Sequence, residues 1–172
     1  MVTEIRETTR LFVALWPTDT AREGLARWRD AWRWPADAAP VASEQFHLTL
    51  HFIGDVARSR LDALTEGLRA PFVPFELTFG RPAFWPHGIA VLEPDTVPLR
   101  LLELHAALED RLQGLSLPIE DRTFRPHVTL ARHATPALPS ACPPARWQVR
   151  DYALVELRSE RGGGYRVLQR YA

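Results

Sequence analysis

Two tetrapeptides carry side chains able to move protons around an anion: His47-Leu48-Thr49-Leu50 and His127-Val128-Thr129-Leu130. They stand 80 positions apart in a chain of 172, one in each half. The sequence has six histidines, and composition alone gives about 0.06 occurrences of His-x-Thr-Leu where two are present. Imidazole titrates near neutral pH, so it serves as a general acid or base. A threonine hydroxyl is an uncharged donor that can meet charge developing on oxygen. Hydrolysis by acid–base catalysis needs one group to take a proton from the water. It needs another, on the far side of the reacting atom, to protonate the departing oxygen. Two imidazoles in opposite protonation states meet that requirement, and no metal is called for.

One strand cannot place two histidines on both sides of a reacting centre; two strands facing across a cleft can. Side chains alternate along a strand, so His47, Thr49 and His51 are expected on one face and Leu48, Leu50 and Phe52 on the other. His127 and Thr129 likewise oppose Val128 and Leu130. The apolar faces belong to a core and the polar faces to the cleft.

The flanking elements are set by spacing and breakers. Leu11–Trp16 reads as a buried strand stopped by Pro17. Thr20 and Glu23 match a capping box, and Ala21, Leu25, Trp28 and Trp32 form one face of a helix ended by Pro35. The first motif strand closes at Gly54-Asp55. A helix is expected over 59–69, and a strand at Phe75, Leu77 and Phe79. Gly80–Gly88 reads as a loop, and Ile89–Leu92 as a strand. Val97, Leu101, Leu104, Leu108 and Leu112 keep helical spacing, with Pro98 in the first turn and Gly114 at the end. After the second motif come a Pro-rich loop at 134–146, a strand over Trp147–Arg158, a Gly162–Gly164 turn and a final strand from Tyr165 to Tyr171. Several connections are too short for parallel crossovers. The expected fold is therefore α+β: one domain over 1–172, of two pseudo-symmetric, interleaved lobes. Each lobe has an antiparallel or mixed sheet, helices cover the outer faces, and the cleft lies between.

Composition narrows the function. The formal net charge is zero, which argues against a long nucleic-acid groove and leaves room for a small phosphate or an RNA end. All 21 basic residues are Arg, so lysyl-adenylate and Schiff-base chemistry are excluded, and any cationic phosphate contact is a guanidinium. Cys142 is alone, excluding an internal disulfide and a cysteine metal cluster. Residues 1–9 are polar, no secretory signature is present, and no apolar run is long enough to span a bilayer. The expectation is a cytoplasmic monomer with no evident obligate protein partner.

His51 is a rim or structural residue. A His47/His51 metal pair is rejected, because four strand steps separate residues by about 13 Å. His133 leaves the site, His105 is structural on its helix, and His87 divides between substrate contact and solvent. Arg125 has the same parity as His127 and precedes Pro126. Phe84 and Trp85 are aromatic surfaces on which a terminal base could stack, or anchors of their loop.

Arg10–Pro17 (R-L-F-V-A-L-W-P), Phe46–Gly54 (F-H-L-T-L-H-F-I-G), Phe124–Arg132 (F-R-P-H-V-T-L-A-R) and the stretch beginning Y-A-L-V-E-L at Tyr152 resemble the 2H phosphoesterase superfamily. Within it they are similar to the bacterial RNA 2′,3′-cyclic phosphodiesterases, once called 2′-5′ RNA ligases. The resemblance covers nearly the whole chain, and the stretch G-R-P-A-F-W-P-H-G is its least family-like part. It implies metal-independent hydrolysis of RNA 2′,3′-cyclic phosphate ends, or of 2′,3′-cyclic nucleotides, to a 2′-phosphate, with weak reverse ligation and no cofactor. It assigns His47 as proton donor to the leaving oxygen and His127 as acceptor from water; the residues alone leave that symmetry open. It also places a phosphate-contacting arginine at Arg132, which strict alternation would put on the face opposite His127 unless a bulge intervenes. Other 2H activities on cyclic nucleotides or 2′,5′-linked oligonucleotides, and a non-catalytic RNA-end-binding module, remain the alternatives.

Overall fold

A computed structural model of the chain describes residues 7–136, 139, 141–158 and 163–172. β1 (Thr8–Leu15) buries Leu11, Val13 and Leu15 on one face and Phe12 and Ala14 on the other. α1 (Asp19–Ala31) buries Ala21, Leu25 and Trp28 as the spacing predicts, with Trp32 as its C-cap. Its N-cap is Thr18, whose hydroxyl accepts the Ala21 N–H at 3.3 Å. The expected Thr20–Glu23 box is not used, because Thr20 already lies inside the first turn.

β2 (Ala39–Pro40) leads to β3 (Leu48–Ala57), which carries the first motif. β3 continues past Gly54-Asp55, since Gly54 adopts φ +86° and stays paired with Leu11. α2 (Leu61–Gly67) comes after a short 3-10 turn at 58–60. β4 (Phe75–Trp85) runs through most of the stretch expected as a loop. A register shift skips Gly80 between Phe79 and Arg81. Beyond Phe79, β4 pairs only with its following neighbour, so Pro82 lies on an open edge that tolerates a missing N–H. β5 (Ile89–Pro94) closes this hairpin, and α3 (Leu99–Gly114) buries Leu101, Leu104, Leu108 and Leu112. Val97 stands before the helix and is exposed.

β6 (Val128–Arg132) carries the second motif. The expected single strand over Trp147–Arg158 is two, β7 (Ala145–Val149) and β8 (Tyr152–Leu157). Between them the chain changes sheets, which explains why Tyr152 and Leu154 break the alternation begun at Val149. β9 (Tyr165–Tyr171) pairs back on β8. Gly162 of the expected turn and parts of the 1–9 and 134–146 segments lie outside the described residues.

The strands form two sheets, ordered β3-β1-β8-β9 and β2-β6-β5-β4-β7, and every described pairing is antiparallel. The helices exchange: α1 succeeds β1 in the chain yet packs on β6 and β7, and α3 succeeds β5 yet packs on β3. One apolar cluster joins both sheets and all three helices. No helix among the described residues is long and apolar enough to cross a membrane.

The α1–β7 contact is close. A Cβ on Gly24 would stand 2.9 Å from Ala145 Cβ and 3.2 Å from its Cα, whereas one on Gly114 meets nothing within 4 Å. The same Gly→Ala change should therefore act with opposite signs. Gly24→Ala should destabilise by about 1–3 kcal/mol through overpacking, and Gly114→Ala should be neutral or stabilise by up to about 1 kcal/mol. Denaturant midpoints of the two variants, measured side by side, check this.

Candidate active site

The two motifs come together in one cleft of about 560 Å³ lined by His47, Thr49, His127, Thr129 and Arg132 among others. The imidazoles are held alike. His47 Nδ1 donates to the Gln45 carbonyl at 2.8 Å, and His127 Nδ1 donates to the Arg125 carbonyl at 2.8 Å. Each bond reaches two residues back and fixes the Nδ1–H tautomer, leaving Nε2 as the free nitrogen.

The strands are also interrupted alike. On β3, Val13 pairs with His51 and Ala14 with Thr49, so Leu50 is an extra residue. On β6, Ala90 pairs with Ala131 and Val91 with Thr129, so Leu130 is an extra residue. A bulge of this kind reverses the facing of the residues beyond it. Leu130 and Ala131 therefore both enter the core, and Arg132 turns into the cleft with the histidines. In the other half, Leu50 and His51 are both buried, and Phe52, expected inside, is 46% exposed and lines the cleft.

His51 therefore does not share the face of His47, a correction to strict alternation. It is 4% exposed, its Nε2 donates to the His105 carbonyl at 2.9 Å, and its ring stacks on His105 at 4.0 Å. His105 stacks in turn on Phe124, also at 4.0 Å, so beside the extra residue Leu50 the His51 ring is tied to α3. The carbonyl of the other extra residue, Leu130, accepts the Val41 N–H at 2.8 Å. Each bulge is thus pinned by an element outside its own strand.

The other candidates separate clearly. Arg132 is exposed and enters no ion pair among the described residues. Arg125 is engaged: its guanidinium meets Glu93 Oε1 at 2.6 Å and lies 4.6 Å from the Trp85 ring centre. Phe84 is corrected: it packs against the core while Trp85, its neighbour of opposite parity, lines the cleft. His87 sits in the β4–β5 turn with φ 67° and His133 lies just past β6 with φ 53°, both exposed and outside the cleft lining. Among the described residues no group of three or more His, Cys, Asp or Glu is placed to hold a metal ion.

Four residues near the histidines were not legible as site residues. Trp16 stacks on His47 at 5.6 Å with planes 9° apart, and Phe12 and Tyr165 stand 5.1 and 5.0 Å from the same ring. Glu93 lies in the other half, bonded to Trp85 Nε1 at 2.9 Å. Phe12, Tyr165 and Glu93 lie on other strands and Trp16 just past the end of β1, so only the register reveals them. Burial is the largest influence on both imidazoles and pushes both below the ordinary value. For His47 the Gln45 carbonyl opposes this, while His127 and Arg132 add to it. For His127 the Arg125 carbonyl and Glu93 oppose it, while the Arg125 and Arg132 cations add to it.

A family model described as the 2′-5′ RNA ligase superfamily matches residues 16–161. Two curated relatives named RNA 2′,3′-cyclic phosphodiesterase are similar over most of both chains. That of Escherichia coli (strain K12) is 31% identical over 154 residues, 87% of this chain and 85% of the relative. That of Thermus thermophilus is 33% identical over 183 residues, 95% of this chain and 89% of the relative. The solved structure of E. coli LigT complexed with 3′-AMP aligns with a TM-score of 0.82 at 30% identity, covering 96% and 98% of the two chains.

The His51–His105 stack sets a pH dependence of stability. Burial first, and then the charge of His51, hold His105 down to about 4, against the pull of the Leu50 backbone. In the unfolded chain it returns to about 6.5, so between these values the unfolded state binds the extra proton. Stability should therefore fall as pH drops through that window. Urea midpoints across the window should show the fall, and His105→Gln should flatten it.

Proposed function

The chain belongs to the 2′-5′ RNA ligase superfamily, and from that premise we propose that it hydrolyses RNA 2′,3′-cyclic phosphate ends to a 2′-phosphate. The observation that carries this reading is the matched pair of Nδ1-anchored imidazoles, each with a free Nε2 in one cleft. Water attacks phosphorus in line, and His127 Nε2 takes its proton as the new P–O bond forms. The bond from phosphorus to the ribose 3′ oxygen breaks, and His47 Nε2 supplies the proton that oxygen needs. The electron pair of the broken bond stays on the 3′ oxygen. The hydroxyls of Thr49 and Thr129 donate to the non-bridging oxygens as charge shifts onto them. Arg132, turned inward by its bulge, supplies the positive charge that attracts the phosphate.

Two features favour a terminus as the substrate. The zero net charge gives no extended attraction for a long polyanion, and the cleft is of a size suited to a small ligand. Ligation uses the same groups in the same roles, with a 5′-hydroxyl in place of water: His127 takes its proton, His47 protonates the departing 3′ oxygen, and a 2′-5′ linkage forms. In water, hydrolysis prevails.

The assay offers an oligoribonucleotide with a 2′,3′-cyclic end, in EDTA, and maps the product phosphate. Turnover to a 2′-phosphate is expected, and His47→Ala and His127→Ala should each lower kcat by about 10²–10⁴-fold. Turnover that appears only when metal is restored, or that survives both substitutions, overturns the reading. The base must be neutral and the acid protonated, so kcat/KM should be bell-shaped in pH. Activity falls below one pKa and above the other. Because both imidazoles are pushed down, both limbs should lie on the acid side of an ordinary histidine, about 6.5.

A further inference from the structure

The two histidines occupy matched positions, but the neighbouring strand gives each a different companion. On β1, Ala14 pairs with Thr49, so the next residue of that parity, Trp16, falls beside His47 and stacks on it. On β5, Val91 pairs with Thr129, so the next residue of that parity, Glu93, comes beside His127. One seat holds an indole and the other a carboxylate.

That carboxylate is 7% exposed, and Trp85 Nε1 and the Arg125 guanidinium both bond its Oε1, at 2.9 and 2.6 Å. Both of these partners also hold His127. The Trp85 ring centre is 4.1 Å from that of His127, and the Arg125 carbonyl accepts from its Nδ1. We propose that Glu93 is a positioning residue for His127. Through Trp85 and Arg125 it fixes the imidazole, and its charge supports the cation formed when Nε2 accepts a proton. The inference deepens the hydrolytic reading of the cleft, and the orientation and charge it describes are measurable without substrate.

The charged groups acting on His127 come from every side. Glu93 on β5 favours its protonated form, whereas Arg125 on the approach to β6 and Arg132 near the end of β6 disfavour it. His47 on the β3 side interacts with it as a second potential cation. Glu120 also lines the cleft but is paired with Arg122 at 3.0 Å. Glu93 is thus the carboxylate that offsets two guanidinium groups. His47, caged by Trp16, Phe12 and Tyr165, has no carboxylate among the groups acting on it.

The test is a titration of the His127 ring protons by NMR in the substrate-free full chain, for wild type, Glu93→Gln and Arg125→Gln. Glu93→Gln should lower the His127 midpoint. Arg125→Gln should raise it, because a cation leaves and the carboxylate loses its partner. A purely structural role does not give opposite signs. An unchanged midpoint in Glu93→Gln, or shifts of both variants in one direction, overturns the proposal. If Glu93→Gln fails to fold, Arg125→Gln still tests it, since that side chain is 60% exposed, and an unmoved or lowered midpoint there counts against it. With substrate, Glu93→Gln should reduce kcat by about tenfold, a fraction of what a general base supplies, with KM little changed. One limb of kcat/KM should move to lower pH together with the His127 midpoint, and limbs that both stay in place overturn the proposal.

Discussion

Everything at the cleft depends on the backbone carbonyl two residues before each histidine. An imidazole offers two nitrogens, and a site built on proton transfer needs one committed and the other free. The Gln45 and Arg125 carbonyls commit Nδ1 in each half. The two bonds require the chain before each motif to arrive at the same angle. A short 3-10 turn at Ser43–Gln45 does this in the first half, and Arg125-Pro126 does it in the second. The sheets, the exchanged helices and the shared core serve to bring these two approaches face to face.

The bulges at Leu50 and Leu130 make up the second layer of control. Without them, alternation would place Arg132 and Phe52 in the core and His51 in the cleft. With them, one edge of the cleft gains a guanidinium and the other an exposed phenyl ring. An extra residue leaves its carbonyl outside the ladder, and a buried carbonyl without a partner is costly. Val41 provides that partner for Leu130, and beside Leu50 the His51 imidazole ties its strand to the His105 carbonyl on α3. The symmetry of the motifs is therefore maintained by two unlike supports, a backbone amide and an imidazole.

The same bulges explain how much of the site is legible in the sequence. Parity at His47, Thr49, His127 and Thr129 is local and survives folding. The burial of Leu25, Trp28, Leu104 and Leu108 comes from spacing alone. The facing of His51, Phe52 and Arg132 depends on one inserted residue, whose position is decided by groups distant in sequence. Glu93 and Trp16 belong beside the histidines only through cross-strand register, which no single strand encodes. The β7–β8 segment reads as one strand because its change of sheet occurs within two polar residues, Arg150 and Asp151. The Gly80–Trp85 stretch reads as a loop because Gly and Pro signal one, whereas an open sheet edge accepts both.

The place of β1 in its sheet has a consequence for biosynthesis. It lies between β3 and β8, and Thr9 on it bonds Glu156, 147 residues later, at 2.6 Å. During translation β8 follows β1 only after β2 to β7, so the edge of β1 that β8 takes stays open while they are made. That edge carries Phe12 and Ala14, which lie beside Val155 and Ala153, so until β8 is made a nascent chain displays an apolar strand edge. The pairing that completes the wall behind His47 is thus among the latest to form. Assembly of the cleft is tied to the synthesis of β8, and the interval before it leaves this edge open to non-native pairing.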